Sequence, residues 1–368
     1  MDSSINNYEM VYNGPQIFVS NPSYKTPRKV CNEKADYDVI DLASMSDNYI
    51  ARSNYRPLLP LCDYKSMVKG FVIGQDKDGN EINDNWIDHY KVGFRKMINL
   101  SGERSLICAV LPRKTAHIHG VISASFRSGN DTVDMAGLCS SLPMDFFMKT
   151  IAAQNLTAVR MQGFPLGGDE KYIRAIRVRT LLLNCLTEEY KDLWKECWSS
   201  SYIEEKWSIF DKRLKPYDHL IREWNHSTPL RNSFERRQAL IEIDTLSAML
   251  LGLSLKDLEL MYTIQFPVLQ SYESDTWYDA RGKIIFTNNV LGLRGVGCDR
   301  PEWNAIRGTV SADGNSYDGN GEPYTHTIDP KKSELYGGQQ VTYYPPYTRP
   351  DRIQDYRRAW AFFEKKFK

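Results

Sequence analysis

Ser105-Leu106-Ile107-Cys108-Ala109-Val110-Leu111 runs directly into Pro112. A short, nearly continuous apolar run that stops at a residue without an amide hydrogen predicts a buried strand. Gly120-Val121-Ile122-Ser123-Ala124-Ser125-Phe126 is a second candidate strand. Beyond it Leu138, Leu142, Phe146 and Ile151 recur at near-helical spacing, which predicts a helix over 135–154, with Gly163-Phe164-Pro165 as the stop. Strands followed by helices give the expected class, α+β, with a mixed α/β unit over 61–168.

Outward from this centre the texture changes. Residues 1–60 are rich in Asn, Pro, Tyr and Ser, and Pro15, Pro22, Pro27, Pro57 and Pro60 break any helix. They predict an extended arm in which Ile17-Phe18-Val19 and Val39-Ile40 are short strand candidates. Residues 169–270 read as helical. One helix is expected over Tyr190–Trp207. A second starts near Thr228-Pro229 and ends at Gly252, and a third is capped by Ser254 with Asp257 in capping-box position and ends by Pro267. Residues 271–368 form a Gly-, Asn- and Tyr-rich tail. It contains a hairpin turn at Asp279-Ala280-Arg281-Gly282, a strand over Lys283–Thr287 and a long surface loop over 311–340. A closing amphipathic helix over Asp351–Phe367 carries Tyr356, Trp360, Phe363 and Phe367 on one face.

The chain has 368 residues, a net charge of +1 and 42% hydrophobic residues, enough apolar material to exclude global disorder. Seven cysteines with no CxxC pair predict reduced thiols, and neither a zinc site nor a disulfide framework. Met1–Asn7 lacks the basic and apolar regions of a signal peptide, and no apolar run approaches the ~20 residues of a membrane span. A cytoplasmic protein with no membrane partner is expected. The charge is unevenly placed: between residues 90 and 180, thirteen Lys and Arg stand against six Asp and Glu. Such a segment suits phosphate contacts and Arg readout of guanine edges, although charge alone favours the plainer reading, a solvated basic face.

Catalytic patterns are weak. Asn21-Pro22-Ser23-Tyr24 resembles the Asn-Pro-Pro-Tyr element with which adenine-N6 methyltransferases hold a flipped base. No Gly-rich turn between a strand and a helix accompanies it to hold S-adenosylmethionine; Gly292-Leu293-Arg294-Gly295-Val296-Gly297 lies in a loop-like stretch. Glu204-Glu205-Lys206 and Asp169-Glu170-Lys171 lack the strand context of a nuclease centre and read as solvated surface. His117 and His119 have no third metal ligand nearby. No catalytic residue and no metal site is assigned, and neither a nucleophile elbow nor a P-loop is present.

Several segments together resemble the target-recognition and C-terminal portion of adenine-N6 DNA methyltransferases of type IIG restriction–modification and DISARM-like phage-defence systems. They are Asp41-Leu42 with Tyr49, Arg52, Asn54 and Tyr55; Phe94-Arg95-Lys96 with Gly102-Glu103-Arg104-Ser105 and the apolar run to Pro112; Leu138-Cys139-Ser140-Ser141-Leu142 through Phe146-Phe147; Gly163-Phe164-Pro165-Leu166; Glu242-Ile243-Asp244-Thr245-Leu246 with Leu251-Gly252-Leu253-Ser254; and Tyr278-Asp279 through Asp355-Tyr356-Arg357-Arg358-Ala359-Trp360. The resemblance runs from about residue 36 to the end, and its order and spacing are more specific than any one motif. It differs from the family pattern in Ser105, where Thr is usual, and in lacking the catalytic half.

The resemblance implies a DNA sequence-recognition module, with 61–168 as the target-recognition domain. It works on double-stranded DNA with a methyltransferase catalytic subunit or domain, and with other defence-system proteins as further partners. S-adenosylmethionine then belongs to that partner and no cofactor to this chain. Such a module is a separate specificity subunit or a fragment; Met1 favours a natural start. The expected DNA contacts are Arg95, Lys96, Arg104, Arg113, Lys114, Arg127, Asn130 and Arg160. Arg113, Lys114 and Arg127 fall just after predicted strands, in loops able to enter a major groove. Arg104, beside Glu103 at a strand start, has a second reading as a buried ion pair. Two alternatives stand beside the module: an interaction scaffold and a minimal methyltransferase using Asn21 and Tyr24.

Overall fold

In the computed structural model, which describes residues 10–33, 35–152, 154–289 and 296–368, the apolar run from Ser105 ends in an edge strand of a three-stranded antiparallel sheet. Before it come β1 (Val11–Tyr12), β2 (Lys25–Pro27), β3 (Tyr37–Val39), helix α1 (Leu61–Met67), β4 (Lys69–Gln75), β5 (Glu81–Asn85) and β6 (Lys91–Arg95). The run itself forms β7 (Cys108–Leu111), and β8 (Ala116–His117) and β9 (Val121–Ser125) follow. The sheet order is β7-β6-β9, with Val92 opposite Val110 and Ala124. β7 explains its own composition. Cys108 and Val110 join the core beneath the helices, while Ala109 and Leu111 pack with Met10, Tyr12 and Ile17 of the arm. Successive side chains point to opposite faces, so a strand covered on both reads as continuously apolar.

The arm is therefore packed onto the sheet. β1 pairs in parallel with β8, and the Ser20 amide donates to the Cys108 carbonyl at 2.8 Å. The expected strand at 17–19 is instead a tight turn. Phe18 bridges Asn21, and Ser20 takes a φ of 49°.

The helices are α2 (Gly129–Ser140), α3 (Leu142–Thr150), α4 (Ala158–Met161), α5 (Glu170–Asn184), α6 (Lys191–Cys197), α7 (Ser233–Leu250), α8 (Leu255–Gln265) and α9 (Pro267–Glu273). Three expectations shift. The single helix over 135–154 is two, because Ser141 leaves the helical region to cap α3 and Pro143 stands in its first turn. The helix expected to reach Trp207 ends at Cys197, and a 3-10 turn over Ser200–Glu204 follows. α7 begins later than Thr228-Pro229, since the Asn232 side chain accepts from the Phe234 and Glu235 amides. The Ser254 capping box is present.

The main core crosses residue 168: Val92, Phe94, Val133 and Met148 share one cluster with Val178, Leu182, Trp194 and Ile243. α2 lies so close to α5 that a Cβ on Gly137 would sit 2.4 Å from Thr180 Oγ1 and 2.6 Å from Ile176 Cγ2. Gly137→Ala is expected to cost about 1–3 kcal/mol through this overpacking. A thermal midpoint within experimental error of the parent would show that the helices separate freely.

The tail contains β10 (Thr276–Tyr278), β11 (Ile284–Thr287), α10 (Arg300–Ile306), β12 (Ser316–Tyr317), β13 (Tyr324–Thr327), β14 (Gln340–Tyr343), β15 (Tyr347–Thr348) and α11 (Arg352–Phe367). The turn at 279–282 forms as expected, with Gly282 at φ 82°. The 311–340 stretch is more ordered than a loop, since β13 and β14 pair within and beside it. α11, capped by Asp351, buries Tyr356 and Phe363 and lies along α7. The architecture is α+β. Met1–Asn7 and Gly292–Gly295 lie outside the described residues.

Candidate nucleic-acid interface

β7 and β9 run antiparallel to β6, so the expected DNA contacts divide between opposite ends of the sheet. At the end where β6 begins, Leu111 and Ser125 flank Lys91. Here the chain leaves β7 through Arg113 and Lys114 and leaves β9 through Arg127, and Asn130 opens α2. At the opposite end lie Arg95, Lys96, Arg104 and Arg160.

The first end is the better candidate. Lys114 is exposed at a φ of 62°, and no ion pair to its ammonium is found among the described residues. The Arg113 guanidinium lies 4.5 Å from the Tyr90 ring centre and 3.5 Å from Asp192. Arg127 is exposed, sits 4.9 Å from the Phe71 ring centre and donates to the Val72 carbonyl at 3.1 Å. It thereby braces the β4–β5 hairpin against the sheet. Three polar atoms at this end are buried without a hydrogen-bond partner: Arg113 Nε, Ser125 Oγ and Asn130 Oδ1. Unpaired buried polar groups are costly and rare, and they mark where water or a ligand completes a structure.

Lys91 forms the floor of this end and is fully buried. Its ammonium donates to the Thr115 carbonyl at 3.2 Å and lies 4.4 Å from the Trp86 ring centre. Burial pushes its pKa down to about 7 against the pull of Asp88. The sequence offered Lys91 as one more basic residue, and only the three-dimensional cover of Trp86 and Thr115 sets it apart.

The β4–β5 hairpin projects beside these loops. The Asp76 side chain accepts the Asp78 and Asn80 amides at its tip, with Gly79 at φ 82°. Ile73 is 62% exposed, and none of the hairpin's side chains joins a core cluster. A two-stranded ribbon has dimensions that a major groove accepts. The tip carries Lys77 among Asp76, Asp78 and Glu81, so it is acidic on balance, and Lys114 and Arg127 supply further cations at its base.

At the opposite end the arginines are occupied. Arg95 donates from Nε to the Gly14 carbonyl at 2.8 Å and from Nη2 to the Ile17 carbonyl at 2.6 Å, fastening the arm. Arg104 is buried. Its Nε meets Asp145 at 2.6 Å and its Nη2 the Ser140 carbonyl at 2.7 Å. The ion-pair reading of Arg104 holds, with Asp145 as the partner in place of Glu103. Glu103 is half-buried nearby, and burial pushes its carboxyl up to about 7 against the pull of Arg104. Lys96 meets His119 at 2.6 Å, and Arg160 is exposed with its guanidinium on the Asn155 carbonyl.

Asn21 and Tyr24 are both engaged. The Asn21 side chain accepts the Ser23 amide at 3.0 Å, and the Tyr24 ring stacks on Phe18 at 4.8 Å. His117 and His119 part company, the former meeting Ser123 Oγ at 2.9 Å. Glu205, expected at the surface, is buried between Arg179 and Lys366. Asp169 is an exposed cap of α5, as a surface residue should be.

The motifs that carry the resemblance meet inside the fold. Asp145 accepts the Ser105 and Leu106 amides, Asp244 accepts the Leu142 amide, and Arg352 joins Asp244 to Glu273. Their side chains thus join β7, α3, α7, α9 and α11.

Fold and interface describe an α+β chain with basic loops and a projecting ribbon at one sheet end. Compared with known proteins, no protein family, no curated protein and no solved structure matches this chain. Among the described residues no helix is long and apolar enough to cross a membrane.

Proposed function

We propose that this chain is the DNA sequence-recognition module of an adenine-N6 methylating restriction–modification or phage-defence system. It acts in the cytoplasm, and its partner, a methyltransferase catalytic subunit or domain, binds S-adenosylmethionine. The observation that carries the reading is the gathering of Arg113, Lys114, Arg127 and Asn130 at one sheet end beside an exposed ribbon. The order of the motifs from about residue 36 onward supports it. Lys114 and Arg127 serve phosphate contacts, and the ribbon reaches for base edges.

The test is fluorescence anisotropy on a random-sequence duplex across a salt series, with and without S-adenosylmethionine. Affinity should fall steeply with salt and ignore the cofactor. Lys114→Ala should weaken binding about equally on all sequences and lower the salt slope by about one contact. A salt-independent affinity would overturn the phosphate contacts, and calorimetric binding of S-adenosylmethionine would restore the minimal methyltransferase. The exposed Leu58, Met67 and Ile73 favour a second reading, an interaction scaffold, which absence of binding at low salt would support.

A further inference from the structure

Between β11 and α11 the described residues form only short elements, α10 and β12 to β15, and a small aromatic cluster of Trp277, Phe286, Trp303, Tyr343 and Tyr347 holds them. Small, irregular segments of this kind gain most from a staple. Cys298 stands just before Asp299, the N-cap of α10, and Glu302 lies in the first turn of that helix. Tyr324 and His326 alternate along β13 and are its two less exposed residues. The Cys298 sulfur, a Glu302 oxygen and a His326 nitrogen all lie within 4.8 Å of one another. Glu302 Oε1 accepts from His326 Nδ1 at 2.7 Å and from the Tyr324 hydroxyl at 2.6 Å.

Tetrahedral zinc, with bonds of about 2.0–2.3 Å, holds its ligand atoms roughly 3.3–3.6 Å apart, so small side-chain rotations bring these three into place. Charge also matches. A thiolate and a carboxylate neutralise a divalent ion, which suits a site next to an apolar cluster. An independent sign is Tyr347, which is fully buried with no partner for its hydroxyl. Tyr347 and Cys298 belong to the same buried cluster.

We propose that Cys298, Glu302 and His326 hold a zinc ion whose fourth position is taken by water. The Cys298 thiol gives up its proton to solvent on binding. His326 coordinates through Nδ1 and carries its proton on Nε2. Tyr324 stays on Glu302 and orients it, as outer-shell donors do at metal sites.

The probe is cobalt(II), added to the full chain prepared without a polyhistidine tag. A thiolate-to-cobalt absorption band with tetrahedral ligand-field bands should saturate near one equivalent, and zinc should displace it. Cys298→Ser should abolish the band, whereas Cys62→Ser, at an exposed thiol, should retain it in full. His326→Gln, which keeps the thiol, should weaken cobalt binding at least about tenfold. Absence of the band in the parent chain, or its persistence in Cys298→Ser, would overturn the site.

Discussion

With Asp145 replaced by alanine, the chain is expected to lose about 3–5 kcal/mol of stability, read as a lower urea midpoint at an unchanged slope. Asp145 is fully buried and Arg104 nearly so, at 2.6 Å. The same carboxylate accepts the Ser105 amide at 3.0 Å and the Leu106 amide at 2.9 Å. Alanine leaves the guanidinium with the Ser140 carbonyl but no counter-charge, and two amides without acceptors, in a buried site, and each carries its own desolvation cost. Removing the charge pair entirely, with Arg104→Met and Asp145→Leu, should cost less than the single change, because no buried charge is stranded. It should still fall short of the parent, since the two amides remain unpaired. A single variant within about 1 kcal/mol of the parent would mean that Asp145 is hydrated and the pair weak.

Arg352→Met should be comparably damaging at neutral pH, by about 3–5 kcal/mol, and its effect should depend on pH. Arg352 grips Glu273 through two nitrogens, each at 2.7 Å, and reaches Asp244 at 2.9 Å with a third. Burial alone would raise the Glu273 carboxyl, but Arg352 outweighs it and holds the group below its ordinary value. A carboxyl depressed in the folded state contributes stability above its unfolded pKa and loses it as pH falls through the folded value. Without Arg352 the burial effect is opposed by Arg237, 3.6 Å away, and by the Tyr262 hydroxyl, which donates at 3.0 Å, and Glu273 takes up a proton more readily. The gap between parent and variant should therefore be widest near pH 8 and narrow as the pH falls toward about 4.5. Parallel stability curves across that range would exclude Glu273 as the group that Arg352 neutralises.

Much of the fold was legible in the sequence because local chemistry decided it. β7, β9, the Ser254 box, the turn at Gly282 and the closing helix all follow from apolar pattern, capping residues or a required positive φ. One miss was local: apolar spacing runs through Ser141 without a break, yet the Ser141 cap and Pro143 in the next turn start a new helix. The others were decided at a distance. Glu205 looks like a surface residue until Arg179, fully buried on α5, needs a second carboxylate beside Glu242. The eight expected DNA contacts separated for the same reason. Arg95 and Arg104 carry the charge of an interface, but the arm's carbonyls and Asp145 hold them inside. Cys298, Glu302 and His326 span α10 and β13, so no linear spacing rule unites them.

That one core spans residue 168 bears on how such a chain can change over generations. An exchange cut at the boundaries of the α/β unit would part Val92 and Phe94 from Val178 and Ile243, and the recombinant would inherit two half-interiors from different parents. The β4–β5 hairpin lies outside every core cluster, so a crossover at its two feet leaves the interior intact. The ribbon is thus open to diversification and to grafting at no cost to the interior.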